Sequence, residues 1–236
     1  MSLDDVRARL SGAAIMLDFD GTLAPIVPEP EDAYPWPGVA DVLADLVGRA
    51  VLVAIVTGRP ESFVRGVLDV PKLEVVGLYG LEGAAPLGPE VSEALRSLAA
   101  TEDGTRIEHK GVSVSVHVRG APDPEAATAR LRGPAREIAT RFGLAMFEGK
   151  RVIELAPTGA RKGGVVRQLL VRVEPNAALY AGDDLEDGEA FRALDELAGR
   201  TCRVAVTGVE SPDELLRAAD LLVEGPPGLL GILRTL

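Results

Sequence analysis

The sequence predicts an open α/β fold in which a Rossmann-like parallel sheet carries an inserted α+β unit. Short apolar segments alternate with helical segments near both ends of the chain, and this alternation is typical of parallel sheets. The middle of the chain instead shows two hairpin patterns flanked by helical ones. With 236 residues, 47% of them hydrophobic, the chain is long enough to bury a sizeable core.

The parallel sheet is predicted from short runs rich in Val, Ile, Leu or Ala, which are typical of strands buried on both faces. These strands are predicted at 14–18, 51–56, 75–79, 178–181 and 203–206. Helical patterns are found at 39–48, 61–68, 161–171 and 185–197, and a further helix starts at 211–214.

The inserted unit is predicted at residues 86–157, with the element order α-β-β-α-β-β. Its helices are expected at 90–100 and 123–142, and its hairpins pair 106–109 with 112–119 and 144–148 with 151–155. In strand 112–119 valines alternate with polar residues, which predicts one buried face and one solvent-facing face. The solvent-facing side chains would be Ser113, Ser115, His117 and Arg119.

The composition excludes several classes of partner. The chain has 25 Lys and Arg against 36 Asp and Glu, a net charge of −11, so it repels nucleic acid and anionic membranes. A single cysteine, Cys202, excludes an intramolecular disulfide and, with only two histidines, a Cys/His zinc site. The apolar run 50–56 is too short to span a membrane, and the first residues do not resemble a secretory signal. We therefore expect a cytoplasmic protein, taken to be a monomer, that binds a small molecule.

The first predicted strand runs into the segment Asp18-Phe19-Asp20-Gly21-Thr22, which carries two aspartates. Open α/β sheets bind ligands at the carboxyl ends of their strands. Asp and Gly are also common in turns, but a turn requires neither the preceding apolar strand nor a second Asp at this spacing. The segment therefore predicts that Asp18 and Asp20 carry chemistry.

Two further segments offer groups for a phosphate. Thr57, Gly58 and Arg59 lie between the second strand and a helix, where backbone N–H groups and a hydroxyl suit phosphate oxygens. Thr57 suits a helix cap equally well. Lys162 lies at the start of a later helix and could neutralise phosphate, although alone it would be interpreted as a solvated lysine.

Acidic residues gather again after strand 178–181, at Asp183, Asp184 and Asp187. Clustered carboxylates near a phosphate favour Mg²⁺. Acids in a first helical turn are also stabilised by the helix dipole, but their position at a further strand end favours a metal site.

Taken in order, the motifs D-x-D-G-T, T-G-R, K-G-G and G-D-D-x-x-D resemble those of haloacid dehalogenase-like phosphatases. Longer segments resemble the trehalose-6-phosphate phosphatases: DFDGTLAPI (18–26), VTGRP (56–60), GLEG (80–83), HKGVSVSVHVR (109–119), EGKRVIELAP (148–157) and GDDLEDGEAF (182–191). The chain departs from that family at Val118, Glu186 and Gly188, where an aromatic residue, Thr and Glu are common. The resemblance implies a catalytic core at 1–85 and 158–236 and a cap domain at 86–157.

The resemblance also implies covalent catalysis with Mg²⁺ as the cofactor. Asp18 would be the nucleophile, and Asp20 would be first the general acid and then the general base. Mg²⁺ would be bound by Asp18, the backbone carbonyl of Asp20 and Asp183. Asp184 is a further candidate ligand and Asp187 a supporting residue, and the sequence leaves open which of these two binds the metal directly.

The same resemblance places the phosphoryl group against Thr57 and Lys162. Gly21, Gly58 and Arg59, beside these groups, are further candidate substrate contacts.

In the cap, the solvent-facing side of strand 112–119 offers His117 and Arg119 as candidate substrate contacts. In the phosphatases that the chain resembles, the E-G-K-x-x-x-E segment contacts sugar hydroxyls, and here it provides Glu148, Lys150 and Glu154 around a hairpin turn. Carboxylates and lysines suit sugars because each hydroxyl both donates and accepts. The alternatives are a solvated hairpin and, for His117, a structural histidine.

The function predicted is hydrolysis of trehalose 6-phosphate to trehalose and phosphate. Other sugar-phosphate phosphatases, acting on sucrose phosphate or mannosyl-3-phosphoglycerate, and a phosphomannomutase-like isomerase are the alternative enzymes. A degenerate domain that only binds a partner would lack some of Asp18, Asp20, Lys162 and Asp183, and all four are present.

Overall fold

The computed structural model describes residues 3–149, 151–157, 161–197, 200–208 and 211–236. They form two compact units, one of Met1–Glu82 with Arg161–Leu236 and one of Gly83–Ala160. In chain order, strands β1 to β10 of the described ranges are Ala13–Leu17, Leu52–Val56, Glu74–Val76, Arg106–His109, Val114–His117, Leu144–Gly149, Val152–Pro157, Ala177–Gly182, Thr201–Thr207 and Leu221–Glu224. Helices α1 to α9 are Leu3–Arg7, Val39–Val47, Glu61–Val67, Pro89–Ala99, Pro124–Phe142, Lys162–Val173, Leu185–Leu194, Asp213–Ala218 and Gly225–Leu233.

The first unit is built on a parallel sheet with the strand order β10-β9-β8-β1-β2-β3. Every residue of β1, β2 and β8 is buried. Their apolar side chains pack on one side with α2 and α9 and on the other with α6 and α7, so both faces of the sheet are covered. The predicted α/β class with a parallel sheet and a separate antiparallel unit is confirmed.

The three central strands bring their following residues to one edge of the sheet. β1 pairs with both β2 and β8, and all three run in the same direction. Asp18, Thr57 and Asp183 each follow the last residue of one of these strands. This edge is where ligands bind in open α/β sheets.

The second unit is an antiparallel sheet with the order β4-β5-β7-β6. The side chains of Val114, Val116, Ile153 and Leu155 form a buried core with residues of α4 and α5, among them Leu131. The opposite face of the sheet, which carries Ser113 and Ser115, is polar.

The structure corrects the prediction that this polar face is open to solvent. Ser113 and Ser115 are buried, with exposed fractions of 3% and 0%. The alternation of side chains predicted which residues share a face, but it cannot show what covers that face.

Two further differences concern the parallel sheet. Strand β10 was not predicted, and β3 ends at Val76 rather than at residue 79. Leu78 and Tyr79 have φ values of 48° and 53°, in the left-handed region, so the extended chain cannot continue through them. No helix in the described ranges is both long and apolar enough to cross a membrane.

Candidate active site

Lys162 forms ion pairs with the aspartate that follows β1 and with two aspartates that follow β8. It begins α6, and its ammonium lies 2.9 Å from Asp18 Oδ1, 2.7 Å from Asp187 Oδ1 and 3.6 Å from Asp184 Oδ1. Lys162 is only 2% exposed, which excludes the interpretation as a solvated lysine. Its ion pairs explain how a lysine is tolerated at this depth.

Asp187 is fully buried and holds this arrangement together. Its Oδ1 accepts hydrogen bonds from Lys162 Nζ and from Tyr180 Oη, both at 2.7 Å. Its Oδ2 accepts from the backbone N–H groups of Asp183 and Asp184 at 2.8 and 2.9 Å. Asp184 in turn accepts from the Asp187 N–H at 3.0 Å and caps α7. Asp187 therefore positions both the lysine and the loop that carries Asp183.

The acidic cluster, which comprises Asp18, Asp183, Asp184 and Asp187, has the chemistry of a cation site. Carboxylate oxygens of Asp18, Asp183 and Asp187 lie within 4.8 Å of one another and are buried. When ionised, the cluster holds four carboxylates against the one ammonium of Lys162. Hard oxygen ligands with surplus negative charge fit a divalent cation such as Mg²⁺. The geometry groups Asp187, rather than the predicted ligand Asp184, with Asp18 and Asp183; the role of Asp184 as a ligand stays a prediction.

The pKa values reflect the same concentration of charge. Burial raises the pKa of Asp18 to about 7, although Lys162 opposes the shift, and the carboxylates of Asp184 and Asp183 add to it. Burial opposes the charge of Lys162, but Asp18, Asp184 and Asp187 outweigh it and hold the lysine pKa well above its ordinary value. A cation at the cluster would favour the ionised form of Asp18.

Two glycines allow the loops to approach this closely. A Cβ on Gly21 would lie 2.1 Å from Asp183 Oδ2, and φ is +79° at this position. A Cβ on Gly182 would lie 2.1 Å from Asp187 Cγ. Side chains at either position would push apart the carboxylates of the cluster.

Asp20 and Arg59 form a pair on the same edge of the sheet. The Arg59 guanidinium donates to Asp20 Oδ2 at 2.8 Å and Oδ1 at 2.7 Å, and also to the Pro30 carbonyl at 2.6 Å. It stacks on Phe63 at 4.5 Å from the ring centre. The structure thus gives Arg59 a protein partner, and its predicted contact with substrate stays a prediction.

Thr57 is buried beside this pair. Its hydroxyl accepts the Arg59 backbone N–H at 3.1 Å in the turn before α3. The N-cap residue of α3 is Pro60, without a side-chain cap, so the helix cap considered from the sequence is not found. The hydroxyl proton of Thr57 can still be donated to a phosphate oxygen. A Cβ on the neighbouring Gly58 would lie 2.6 Å from Tyr79 Oη, so the backbone there closely approaches another side chain.

In the second unit, the polar face is defined by residues of β4, β5 and β7 and of the turn between β4 and β5: Glu108, Lys110, Ser113, Ser115, His117 and Glu154. Glu154 Oε1 accepts a hydrogen bond from Ser113 Oγ and lies 3.4 Å from Lys110 Nζ. His117 Nε2 lies 2.8 Å from Glu108 Oε2.

The predicted clustering of Glu148 with Glu154 is not found. The register pairs Glu148 with Ile153 and Glu154 with Phe147, so the two glutamates lie on opposite faces of the sheet. Glu148 forms a bidentate ion pair with Arg132 of α5, in which the guanidinium donates to Oε1 at 2.6 Å and to Oε2 at 2.8 Å. Arg119 follows β5 and is half-buried, and Lys150 lies outside the described residues.

The sequence analysis did not identify Tyr180, Lys110 and Ser113, whose side chains contact predicted site residues. Tyr180 lies in an apolar strand and resembled a core residue, although a buried tyrosine needs a partner for its hydroxyl. Ser113 could have been found, because the predicted strand 112–119 places it on the polar face with Ser115. Lys110 lies in the turn between β4 and β5, where no strand pattern indicates its partner.

We predict that Tyr180→Phe lowers the free energy of unfolding by about 1–3 kcal/mol, because it removes a hydrogen bond to a buried carboxylate. Chemical denaturation measures the change. Tyr34→Phe is the matched control, since Tyr34 is 62% exposed and its hydroxyl should contribute little. Equal stabilities of the two variants would contradict the role given to Tyr180.

The sheet that carries the strand-end aspartates has the haloacid dehalogenase-like fold that the motifs predicted. A haloacid dehalogenase-like hydrolase from Bacteroides thetaiotaomicron shares this fold, with a TM-score of 0.60 at 15% identity over 94% of this chain and 98% of that one. A family model described as trehalose-phosphatase matches residues 16–219. The chain therefore belongs to the trehalose-phosphatase family, and the resemblance inferred from the motifs is confirmed.

The chain is also similar to individual proteins and to solved structures. A trehalose-6-phosphate phosphatase-related protein of Thermoplasma acidophilum is 34% identical over 197 residues, which cover 77% of this chain and 82% of that protein. The C-terminal domain of the Candida albicans trehalose-6-phosphate phosphatase superposes with a TM-score of 0.84 at 21% identity, over 99% of this chain and 94% of that one. An uncharacterized glycosyl hydrolase of Mycobacterium tuberculosis is 32% identical over 77% of this chain, but the chain spans only 15% of its length.

Proposed function

We propose that the chain hydrolyses trehalose 6-phosphate to trehalose and phosphate. The observation that carries the proposal is the buried pair of Asp18 and Lys162 beside Asp183, at the strand ends of a trehalose-phosphatase family member. Such a site unites a carboxylate nucleophile, a fixed positive charge and oxygen ligands for a metal.

In the first step, an oxygen of the Asp18 carboxylate attacks phosphorus, and the bond between phosphorus and the sugar oxygen breaks. Asp20 donates a proton to the departing sugar oxygen. In the second step, Asp20 takes a proton from water, which attacks the phosphorus of the aspartyl-phosphate and releases phosphate and the Asp18 carboxylate. Asp20 must leave the Arg59 guanidinium, at least in part, to reach these oxygens, since Arg59 engages both of its carboxylate oxygens.

The metal is proposed to be Mg²⁺, with Asp18, Asp183 and the backbone carbonyl of Asp20 as ligands and Asp184 as a further candidate. When bound, it would supply positive charge to the phosphoryl oxygens and to Asp18. We assign Asp187 a supporting role, because all four hydrogen bonds described for its carboxylate are used to hold Lys162, Tyr180 and the loop amides.

Lys162 and Thr57 would bind the phosphoryl oxygens, with Gly21 and Gly58 allowing close approach of the backbone. Lys162 is held in place by Asp187 before any substrate arrives, so little reorganisation is required.

Residues 86–157 are proposed to act as the cap that selects the sugar. Their polar face combines carboxylates, hydroxyls, an ammonium and an imidazole, which suits a ligand whose hydroxyls both donate and accept. Glu154, His117 and Arg119 are the contacts favoured by position, and Lys150 and Glu148 stay predictions. A cytoplasmic location and a monomeric state also stay predictions.

The proposal is tested with purified protein and Mg²⁺ by measuring phosphate released from a panel of sugar phosphates. The panel contains trehalose 6-phosphate, sucrose 6-phosphate, mannosyl-3-phosphoglycerate and mannose 1-phosphate. We expect the highest kcat/KM for trehalose 6-phosphate. A higher value for another member, or conversion of mannose 1-phosphate to its 6-isomer, would overturn the assignment.

We predict that Glu154→Ala lowers kcat/KM for trehalose 6-phosphate roughly ten- to a hundredfold, since a charged hydrogen-bond partner of the sugar is lost. Hydrolysis of p-nitrophenyl phosphate should change little, because this small ester has no sugar hydroxyls. The control is Glu137→Ala, an exposed glutamate of α5 in the same unit. Equal losses with both substrates would assign Glu154 to folding or closure instead.

A further inference from the structure

Ser115 carries a buried hydroxyl for which the described residues offer no hydrogen-bond partner. The residue lies in β5 and is 0% exposed. Ser113, two residues earlier on the same face, donates its hydroxyl hydrogen to Glu154. Because an unpaired buried polar group is costly, the difference between these two serines requires an explanation.

The surroundings of Ser115 point to the kind of group that would pair with it. The strand register places Ser115 directly between Glu108 of β4 and Glu154 of β7. The Glu154 carboxylate accepts a hydrogen bond from the Ser113 hydroxyl and lies near the Lys110 ammonium. The Glu108 carboxylate contacts the His117 ring. The neighbouring side chains thus already form pairs with one another, and none of these pairs includes the Ser115 hydroxyl.

The charges of this face favour a neutral ligand. Two carboxylates share this face with the Lys110 ammonium, the His117 imidazole and Arg106, which the register places opposite His117, so neither an anion nor a simple cation would be strongly preferred. A hydroxyl that donates to one neighbour and accepts from another suits such a mixed set.

We infer that Ser115 is a specificity-determining residue whose hydroxyl hydrogen-bonds a hydroxyl group of the sugar substrate. The inference rests on the proposed function and deepens it, because it names a group that distinguishes a sugar from other leaving groups. Without substrate the unpaired Ser115 hydroxyl lowers the free energy of unfolding. With substrate bound, the same hydroxyl forms a hydrogen bond to the sugar.

Ser115→Ala tests this by two readouts of opposite sign. The substitution removes the unpaired hydroxyl and leaves only a small void, so the Tm of the free protein should stay the same or rise. The kcat/KM for trehalose 6-phosphate should fall about three- to tenfold, and that for p-nitrophenyl phosphate should not change. The stabilisation of the protein by added trehalose, seen as a rise in Tm, should also be smaller in the variant.

Ser113→Ala is the matched control, since it removes a hydroxyl that already has a partner on the same face. Its Tm should fall, because Glu154 loses a hydrogen-bond donor. An unchanged kcat/KM for the sugar phosphate in Ser115→Ala, or a lowered Tm with equal losses for both substrates, would overturn the inference.

The wild-type protein on the substrate panel separates this inference from the proposed function. If another sugar phosphate is the preferred substrate, the proposed function fails, and the effect of Ser115→Ala is then measured on that substrate. A loss there still supports a sugar contact at Ser115, and no loss overturns it.

Discussion

Asp18→Asn should lower the turnover of trehalose 6-phosphate on the order of 10⁴-fold or more, as expected for removal of a catalytic nucleophile. Asparagine has nearly the same shape, but its neutral amide cannot attack phosphorus. It also deprives Lys162 of the carboxylate that lies 2.9 Å from its ammonium. Phosphate release under saturating Mg²⁺ measures the change. Asp41→Asn, at an exposed aspartate of α2, is the matched control and should retain full activity.

The stability of the same variant provides a second readout. Burial raises the pKa of Asp18 from 3.8 to about 7 in the metal-free protein. A group whose pKa is raised on folding favours the folded state at low pH, and this contribution is lost as the pH rises through about 7. In the presence of chelator, wild type should therefore lose more unfolding free energy than Asp18→Asn between about pH 5 and about pH 8.

Full activity of a folded Asp18→Asn variant would contradict the mechanism.

Asp20→Asn should slow the first step with trehalose 6-phosphate by about 10²- to 10⁴-fold, the range typical of a lost general acid. A sugar alkoxide is a poor leaving group that needs a proton, whereas p-nitrophenolate needs it little. The burst of product measured before the steady state isolates this step with each substrate.

The comparison of the two leaving groups is the control for Asp20. Loss of the general base slows the second step with either substrate, so steady-state rates alone would not separate the two roles. If the first step slows equally with both substrates, Asp20 is not the general acid. Its pairing with Arg59 would then have only a structural role.

The site residues at the strand ends could be predicted from the sequence because their placement depends only on which residues follow each apolar run. An apolar run predicts a buried parallel strand, and the residue that follows it must emerge at the ligand-binding edge of the sheet. Asp18, Thr57 and Asp183 each follow such a run, and the structure places them after three adjacent strands.

Contacts that depend on register or on distant elements could not be predicted. Glu148 and Glu154 flank one turn, and their assignment to opposite faces follows from a register in which Phe147, not Glu148, pairs with Glu154. The partner of Glu148, Arg132, belongs to a different element. The burial of Ser115 could not be predicted either, because the alternation of valine and serine shows which residues share a face but not whether that face is covered.

The measurement that tests the central claim most directly is the trapping of a phosphorylated protein. The Asp20→Asn variant, with Mg²⁺, is mixed with p-nitrophenyl phosphate, which does not need the general acid, and is quenched in acid while turnover is slow. Mass spectrometry of the peptides should locate a phosphoryl group on Asp18, and excess chelator should abolish it. A phosphoryl group on another residue, or hydrolysis by this variant without any phosphorylated protein, would contradict the account.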